Sequence, residues 1–320
     1  MTTGLVGDIG GTNARFALID SAAPATLRDP VSVKCADYPD IVQSIRAYLA
    51  GKSGLNPASA VLAAAGPITG DEFRQNNGPW QFSISRLREE LKIPSLRVVN
   101  DFVAMAHGVA VLSEDRVATI GAVRADETTA AGPWLVIGPG TGLGVAVIID
   151  PDRAPRVLES EGGNAGLAPS DETELEIART VLRQGTDLPW ERLVSGPGLR
   201  MLHAVMAELD GRVAAPITPE DIVWRALENN DPFCRAVLDR FCGLLGSAAG
   251  DMALIVKARR VYLAGAIVQA ILPHLRESAF RERFEQRGKY GDVLDDVPTL
   301  AALGADIGLI GAAAILNSDK

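Results

Sequence analysis

At 320 residues the chain exceeds the ~250–300 residues at which a single hydrophobic core stops growing, so about two domains are expected. Apolar residues make up 47%, charged residues 22% and aromatics only 5%, which excludes disordered and collagenous chains and leaves the interior to Ala, Val, Leu and Ile. A net charge of −9 repels phosphate backbones and anionic lipid, so neither nucleic acid nor a membrane is an expected partner.

No run reaches the ~20 apolar residues of a membrane span, and Asp8 interrupts the apolar start, so neither an anchor nor a signal segment is read. Cys35, Cys234 and Cys242 are odd in number and form no C-x-x-C pair, and His107, His203 and His274 are scattered. A disulfide framework and an imidazole-held metal cluster are therefore not expected, and a reducing cytoplasm fits.

In chain order, apolar stretches at 5–9 and 15–19 bracket Gly10 and Gly11 and read as a hairpin. Residues 31–35 read as a short strand. Asp37 to Asp40 then lead into a helix carrying Ile41, Ile45, Tyr48 and Leu49 and ending near Gly51. Strands at 60–65 and 95–99 flank a charged helix at 85–92. Residues 117–133 turn polar and Ala-rich, after which 134–137 and 143–149 flank a second glycine-dense turn. Thr218 caps a helix running to Glu228, residues 261–263 form a strand before Ala264 and Gly265, and an apolar helix over 307–316 is expected to dock at a domain interface. Gly11-Thr12 repeats as Gly140-Thr141, and both second strands end in Ile-Asp, at 19–20 and 149–150. The offset of 129 residues (141 − 12) reads as a weak internal duplication, with chance likeness of glycine turns as its alternative.

Neither glycine loop meets the dinucleotide pattern, which needs G-x-G-x-x-G followed by a helix, whereas strand residues follow Gly144. Gly51-Lys52-Ser53 resembles the end of a P-loop, but Arg46 stands where its first glycine belongs. Two hairpin turns with bare backbone, Thr hydroxyls and Asp8 or Asn13 nearby suit a nucleotide's phosphates and its metal; the plain alternative is that they are only tight turns.

The run from Gly7 to Leu18, GDIGGTNARFAL, resembles the first phosphate motif of bacterial glucokinases in the hexokinase/actin-like superfamily. The likeness continues in family order through Asn100-Asp101-Phe102, Gly140-Thr141-Gly142-Leu143-Gly144, Glu161-Gly162-Gly163, Glu191-Arg192, Ser195-Gly196-Pro197-Gly198 and Tyr262-Leu263-Ala264-Gly265. The Cys-rich zinc motif of the other large sugar-kinase branch is absent, so the zinc-free branch is the one resembled. The resemblance implies an α/β, two-lobed actin-like ATPase (ribonuclease H-like) fold. Its small domain would comprise 1–110 plus 303–320 and its large domain 111–302, with ATP and Mg2+ in a cleft between them that closes over the sugar. Implied nucleotide contacts are Asp8, Gly10, Gly11, Thr12, Asn13, Gly140, Thr141, Gly142 and Gly265, with Asp8 holding Mg2+ through water. A homodimer is compatible with the resemblance.

Phosphoryl transfer to an alcohol needs a hydroxyl in line with the γ-phosphate and a base for its proton. Asp101 follows an apolar strand and precedes a helix, a junction where α/β proteins form clefts, and is assigned as general base; its bland alternative is a helix N-cap. By resemblance Asn100, Asp101, Glu161, Asn164 and Glu191 contact the sugar. Read as a hydrolytic pair, Glu159 and Glu161 would lie about 7 Å apart on one strand face. The family usually carries His where Asn164 stands, so weaker or broader hexose binding is expected, and Ala266 replaces a family glycine at the adenosine motif. The reading is glucose 6-phosphorylation. The alternatives are a kinase for mannose, fructose or an aminosugar, or a sugar-binding regulator without turnover, the latter disfavoured by the few residues before the first motif.

Overall fold

The computed structural model describes residues 3–20, 23–50, 52, 56–76, 78–123, 131–151, 155–185 and 187–318. The chain forms two compact units, one of 1–113, 153–159 and 304–320, the other of 114–152 and 160–303. No helix of the described residues is long and apolar enough to cross a membrane.

In the first unit, strands β1 (Thr3–Ile9), β2 (Asn13–Asp20), β3 (Ala23–Lys34), β4 (Ser59–Ala64) and β8 (Ser95–Asn100) form a sheet ordered β3-β2-β1-β4-β8. A small separate sheet holds β5 (Ile68–Thr69), β6 (Glu72–Arg74) and β7 (Gln81–Ser83). The pair β1 and β2 is the expected antiparallel hairpin, and β4 and β8 run parallel to β1. The strand read at 31–35 is longer, and Cys35 leaves it to open a 3-10 turn. Helix α1 (Ile41–Ala50) fills one face with Ile41, Ile45 and Tyr48, while Gly51 and Ser53 of the rejected P-loop likeness lie outside the described residues. Helix α2 (Ile84–Leu91) starts on the Ser83 side chain, which accepts from Arg86 N–H.

Helix α3 (Asp101–Ala110) packs with the last helix, Ile307–Ser318, on the other face. That last helix is apolar all round because it is buried all round, with Val6, Ala17, Val61, Ala104, Leu309, Ala312 and Ile315 in one core. It is a core element of the first unit. A Cβ on Gly311 would collide with the Ala104 carbonyl, and one on Gly108 with the Ile307 carbonyl, so the two helices meet backbone to backbone.

The second unit repeats the plan. Its sheet is ordered β12-β11-β10-β13-β14-β9 and holds β9 (Val117–Ile120), β10 (Trp134–Pro139), β11 (Leu143–Ile149), β13 (Arg260–Leu263) and β14 (Thr299–Ala302), with the edge strand β12 (Arg156–Ser160), of which 156–159 are counted with the first unit. Here too a hairpin, β10 with β11, continues into two parallel strands, β13 and β14, which supports the internal duplication. The segment read as polar begins with a strand, β9, held antiparallel on β14; residues 124–130 of it lie outside the described ones.

Helices α4 (Glu172–Arg183), α5 (Trp190–Leu193), α6 (Gly196–Leu209), α7 (Pro219–Leu227), α8 (Pro232–Val256), α9 (Ala266–Glu277), α10 (Phe280–Glu285) and α11 (Gly291–Asp295) complete the unit. Thr218 caps α7 as expected. Cys35, Cys234 and Cys242 are free and buried.

One buried charge ties three of these helices. Glu174 on α4, 1% exposed at its side chain, meets Arg240 Nη1 on α8 at 3.0 Å and Arg283 Nη2 on α10 at 2.9 Å. Its Oε2 also accepts from Ser170 N–H at 2.8 Å, and Arg283 donates to Ser247 Oγ at 2.9 Å, so the desolvated charges are compensated. Removing the carboxylate takes away the buried anion that both guanidinium groups share and leaves them Asp171, which is 41% exposed at its side chain, as their remaining acidic partner. Glu174→Ala is expected to cost about 3–5 kcal/mol of stability, read by denaturant titration; a loss under about 1 kcal/mol would show that the network carries little.

Candidate active site

The parallel register decides what meets at the edge of the first sheet. Ile9 pairs with Ala64 and Ala64 with Asn100, so β1, β4 and β8 end level. At that edge β1 runs into the turn of Gly10 to Asn13 and β8 into α3. Two strand spacings, about 10 Å, separate the turn from Asn100 and Asp101.

Asn100 is the N-cap of α3, its Oδ1 accepting from Phe102 N–H at 2.8 Å and Val103 N–H at 3.2 Å. The capping role weighed for Asp101 thus falls to its neighbour. Asp101 is the first helical residue, partly exposed, with Oδ1 also accepting from Phe102 N–H at 3.0 Å. The positive end of the helix suits its carboxylate.

Asp8 sits opposite Arg15 in the hairpin, Oδ2 to Nη1 3.3 Å, and the same guanidinium nitrogen donates to the Ala305 carbonyl at 3.0 Å. Burial pushes the Asp8 pKa up, and Arg15 opposes that shift without cancelling it. Gly308 leaves the carboxylate its room, since a Cβ there would stand 3.2 Å from Asp8 Cγ. A partly desolvated oxygen donor beside a bare glycine turn, with one arginine nearby, fits a hydrated Mg2+. The side chains of Thr12 and Asn13 are exposed at the turn.

In the second unit the turn of Gly140 to Gly142 joins β10 to β11, closed by Gly140 N–H on the Gly142 carbonyl at 2.7 Å. The Gly140 carbonyl accepts from Gly196 N–H at 2.8 Å, at the start of α6, where Ser195 caps the helix through Gly198 N–H. Gly140 and Thr141 are exposed, and space around Gly140 is open. Glu191 reaches the same turn, Oε2 accepting from Leu143 N–H at 2.9 Å, and its carboxylate occupies the place of a side chain on Gly142.

Glu161 follows the end of β12 at Ser160, so the strand-face pairing considered with Glu159 does not form. A 3-10 turn, Gly162–Asn164, brings Asn164 Nδ2 to Glu161 Oε2 at 3.4 Å. That turn presses on β11, because a Cβ on Gly163 would meet the Leu143 carbonyl. Ala165 O accepts from Trp190 N–H at 2.9 Å and Gly166 bridges Pro189, which sets Glu161 and Asn164 beside the helix that opens with Trp190 and Glu191. Gly265, at φ 101°, ends level with this turn: Ala264 N–H donates to Ile137 O at 3.0 Å, and Ala266 opens α9 exposed to solvent. Within each unit, then, the expected residues gather at one sheet edge. Gly308, which the sequence offers only as a glycine that permits close helix packing, and Gly196, part of a motif without a role of its own, also contribute; they work through backbone space and a backbone N–H.

The glucokinase family profile matches residues 5–319. A glucokinase of Caulobacter sp. (strain K31) is 39% identical over 318 residues, covering 99% of this chain and 95% of its own. The crystal structure of a glucokinase from an Antarctic psychrotroph aligns with TM-score 0.85 at 34% identity, covering 99% of both chains. A glucokinase of the ROK family from Streptomyces griseus, in complex with glucose and AMPPNP, shares the fold at TM-score 0.67 and 22% identity, covering 99% of both. These neighbours have the actin-like ATPase fold, and with more than nine-tenths of its length matched the chain belongs to the glucokinase family.

Proposed function

We propose that this protein transfers the γ-phosphoryl group of ATP to the C6 hydroxyl of glucose, with Asp101 as general base. The observation that carries the reading is the strand-to-helix junction of β8 and α3. Asn100 caps the helix there, while Asp101 stands at the same sheet edge as the glycine turn after β1. The new bond joins glucose O6 to phosphorus, the bond to the β–γ bridging oxygen breaks, and the hydroxyl proton passes to the Asp101 carboxylate. An ordinary carboxylate suffices for this, because in a loose transition state the proton leaves late and positioning outweighs basicity.

The turns at 10–13 and 140–142 hold phosphates through backbone N–H groups, and Gly265 lets the adenosine moiety approach the start of α9. Asp8 holds Mg2+ through water; the ion supplies charge neutralisation on the phosphates. Asn100, Glu161, Asn164 and Glu191 contact sugar hydroxyls, the carboxylates accepting and the amides doing both. Glu191 also bonds the glycine turn, so one side chain links sugar recognition to phosphate recognition within the second unit. Three buried free thiols fit a reducing compartment, and we place the enzyme in the cytoplasm.

Asp101→Ala is expected to lower kcat by about 10²–10⁴-fold while leaving ATP affinity within about twofold by calorimetry; wild-type turnover in this variant refutes the assignment. Asn164→His should lower the glucose KM and narrow the range of hexoses accepted in an ADP-release assay, and an unchanged KM counts against a role for Asn164 in sugar choice. Asp8→Asn should raise the Mg2+ concentration for half-maximal rate by about 10–100-fold with glucose binding preserved; an unaltered Mg2+ requirement removes Asp8 from the metal site.

A further inference from the structure

A glutamine in the loop after β6 holds the first phosphate turn from beneath. Gln75 is 4% exposed, so its amide must find partners inside the protein. Its Oε1 accepts from Trp80 N–H at 3.0 Å, which fixes which way the amide faces. The Nε2 group therefore points the other way, donating to the Gly10 carbonyl at 2.5 Å and to Cys35 Sγ at 3.4 Å. The loop is built around this side chain: Gln75 N–H bonds the Trp80 carbonyl at 3.0 Å, and a Cβ on Gly78 would strike the amide itself.

The consequence follows from the planarity of the peptide. No cis peptide bond occurs among the described residues, so the Gly10 carbonyl and the Gly11 N–H point in opposite directions. A carbonyl drawn inward by Gln75 turns the next N–H outward. Among the described residues no backbone carbonyl accepts from Gly11, whereas Gly10 N–H is used on the Asn13 carbonyl at 3.0 Å.

The second unit has a comparable contact, shifted by one position in the alignment of Gly11-Thr12 with Gly140-Thr141. There the carbonyl of the first turn residue after the strand, Gly140, is taken by Gly196 N–H, and Thr141 N–H is turned away from it. Two hairpins with unlike surroundings thus share one orienting contact.

We propose that Gln75 is a positioning residue for phosphate binding: by anchoring the Gly10 carbonyl it aims the Gly11 N–H at a phosphate oxygen of ATP. The inference rests on the nucleotide reading of this turn given above. Gln75 itself touches no substrate. Without its amide donor the Gly10 carbonyl keeps only the weak Cys35 Sγ contact at 3.7 Å, two glycines offer little resistance to rotation of the peptide between them, and the aim of the N–H is loosened.

The test compares nucleotides that differ only in phosphates. In Gln75→Met the side chain keeps its length and loses the donor; in Gln75→Glu it keeps the bond from Trp80 N–H and sets an oxygen against the Gly10 carbonyl. Gly78→Ala displaces the amide without altering it. An N–H to a phosphate oxygen contributes about 1.5–3 kcal/mol. The ATP dissociation constant of each folded variant is therefore expected to rise about 10–100-fold, with adenosine affinity and glucose KM within about twofold of wild type. Equal losses for ATP and adenosine, or an unchanged ATP constant in all three variants, overturn the role of Gln75. A wild-type chain that binds no ATP overturns the nucleotide reading and this inference together.

Discussion

Backbone-to-backbone contact between two helices governs the first unit. Gly311 lies on the Ala104 carbonyl and Gly108 on that of Ile307, closer than any side chain would allow. Such contact fixes the sliding register of α3 against the last helix more tightly than interlocked side chains could, because nothing flexible intervenes. That register sets where α3 begins, hence the position of Asp101, and it brings Gly308 beside the Asp8 carboxylate. Proposed base and proposed metal holder are thus placed by the same stripe of glycines.

The two sheets solve one problem twice. Each starts with a hairpin whose turn is stripped of side chains, and each continues into two strands parallel to the first. Parallel pairing brings the ends of successive strands level, so whatever follows them gathers along one edge. In the first unit that edge collects Asn100 and Asp101; in the second, Gly265 and the start of α9. The polar groups gathered there are held by bonds to backbone, as with Glu191 on Leu143 N–H and Gly196 on the Gly140 carbonyl.

Much of this was legible in the residue order. Both hairpins, α2, α7 and the last helix announce themselves through alternation, caps and apolar periodicity, and the motif residues lie where a chain must turn. What escaped was short or dependent on distant partners. β9 and β14, four residues each, pair with one another across the chain, and Ala-rich strands of that length carry no pattern of their own. Asn100 and Asp101 are both good capping residues, and only the backbone decides between them: Asn100 is extended and Asp101 helical. Gln75 left no trace, because its partner Gly10 lies in another element and a lone glutamine in a loop has no period to betray it.

The last helix also orders events in time. Val6, Ala17, Val61 and Ala63 of the first sheet share a core with Leu309, Ala312 and Ile315, yet the intervening chain from 114 to 303 belongs mainly to the other unit. During synthesis α3 follows the early strands directly, but the rest of that face's cover arrives only after most of the second unit has left the ribosome. The core on that face of the N-terminal sheet is therefore completed only when residues 307–318 close over it.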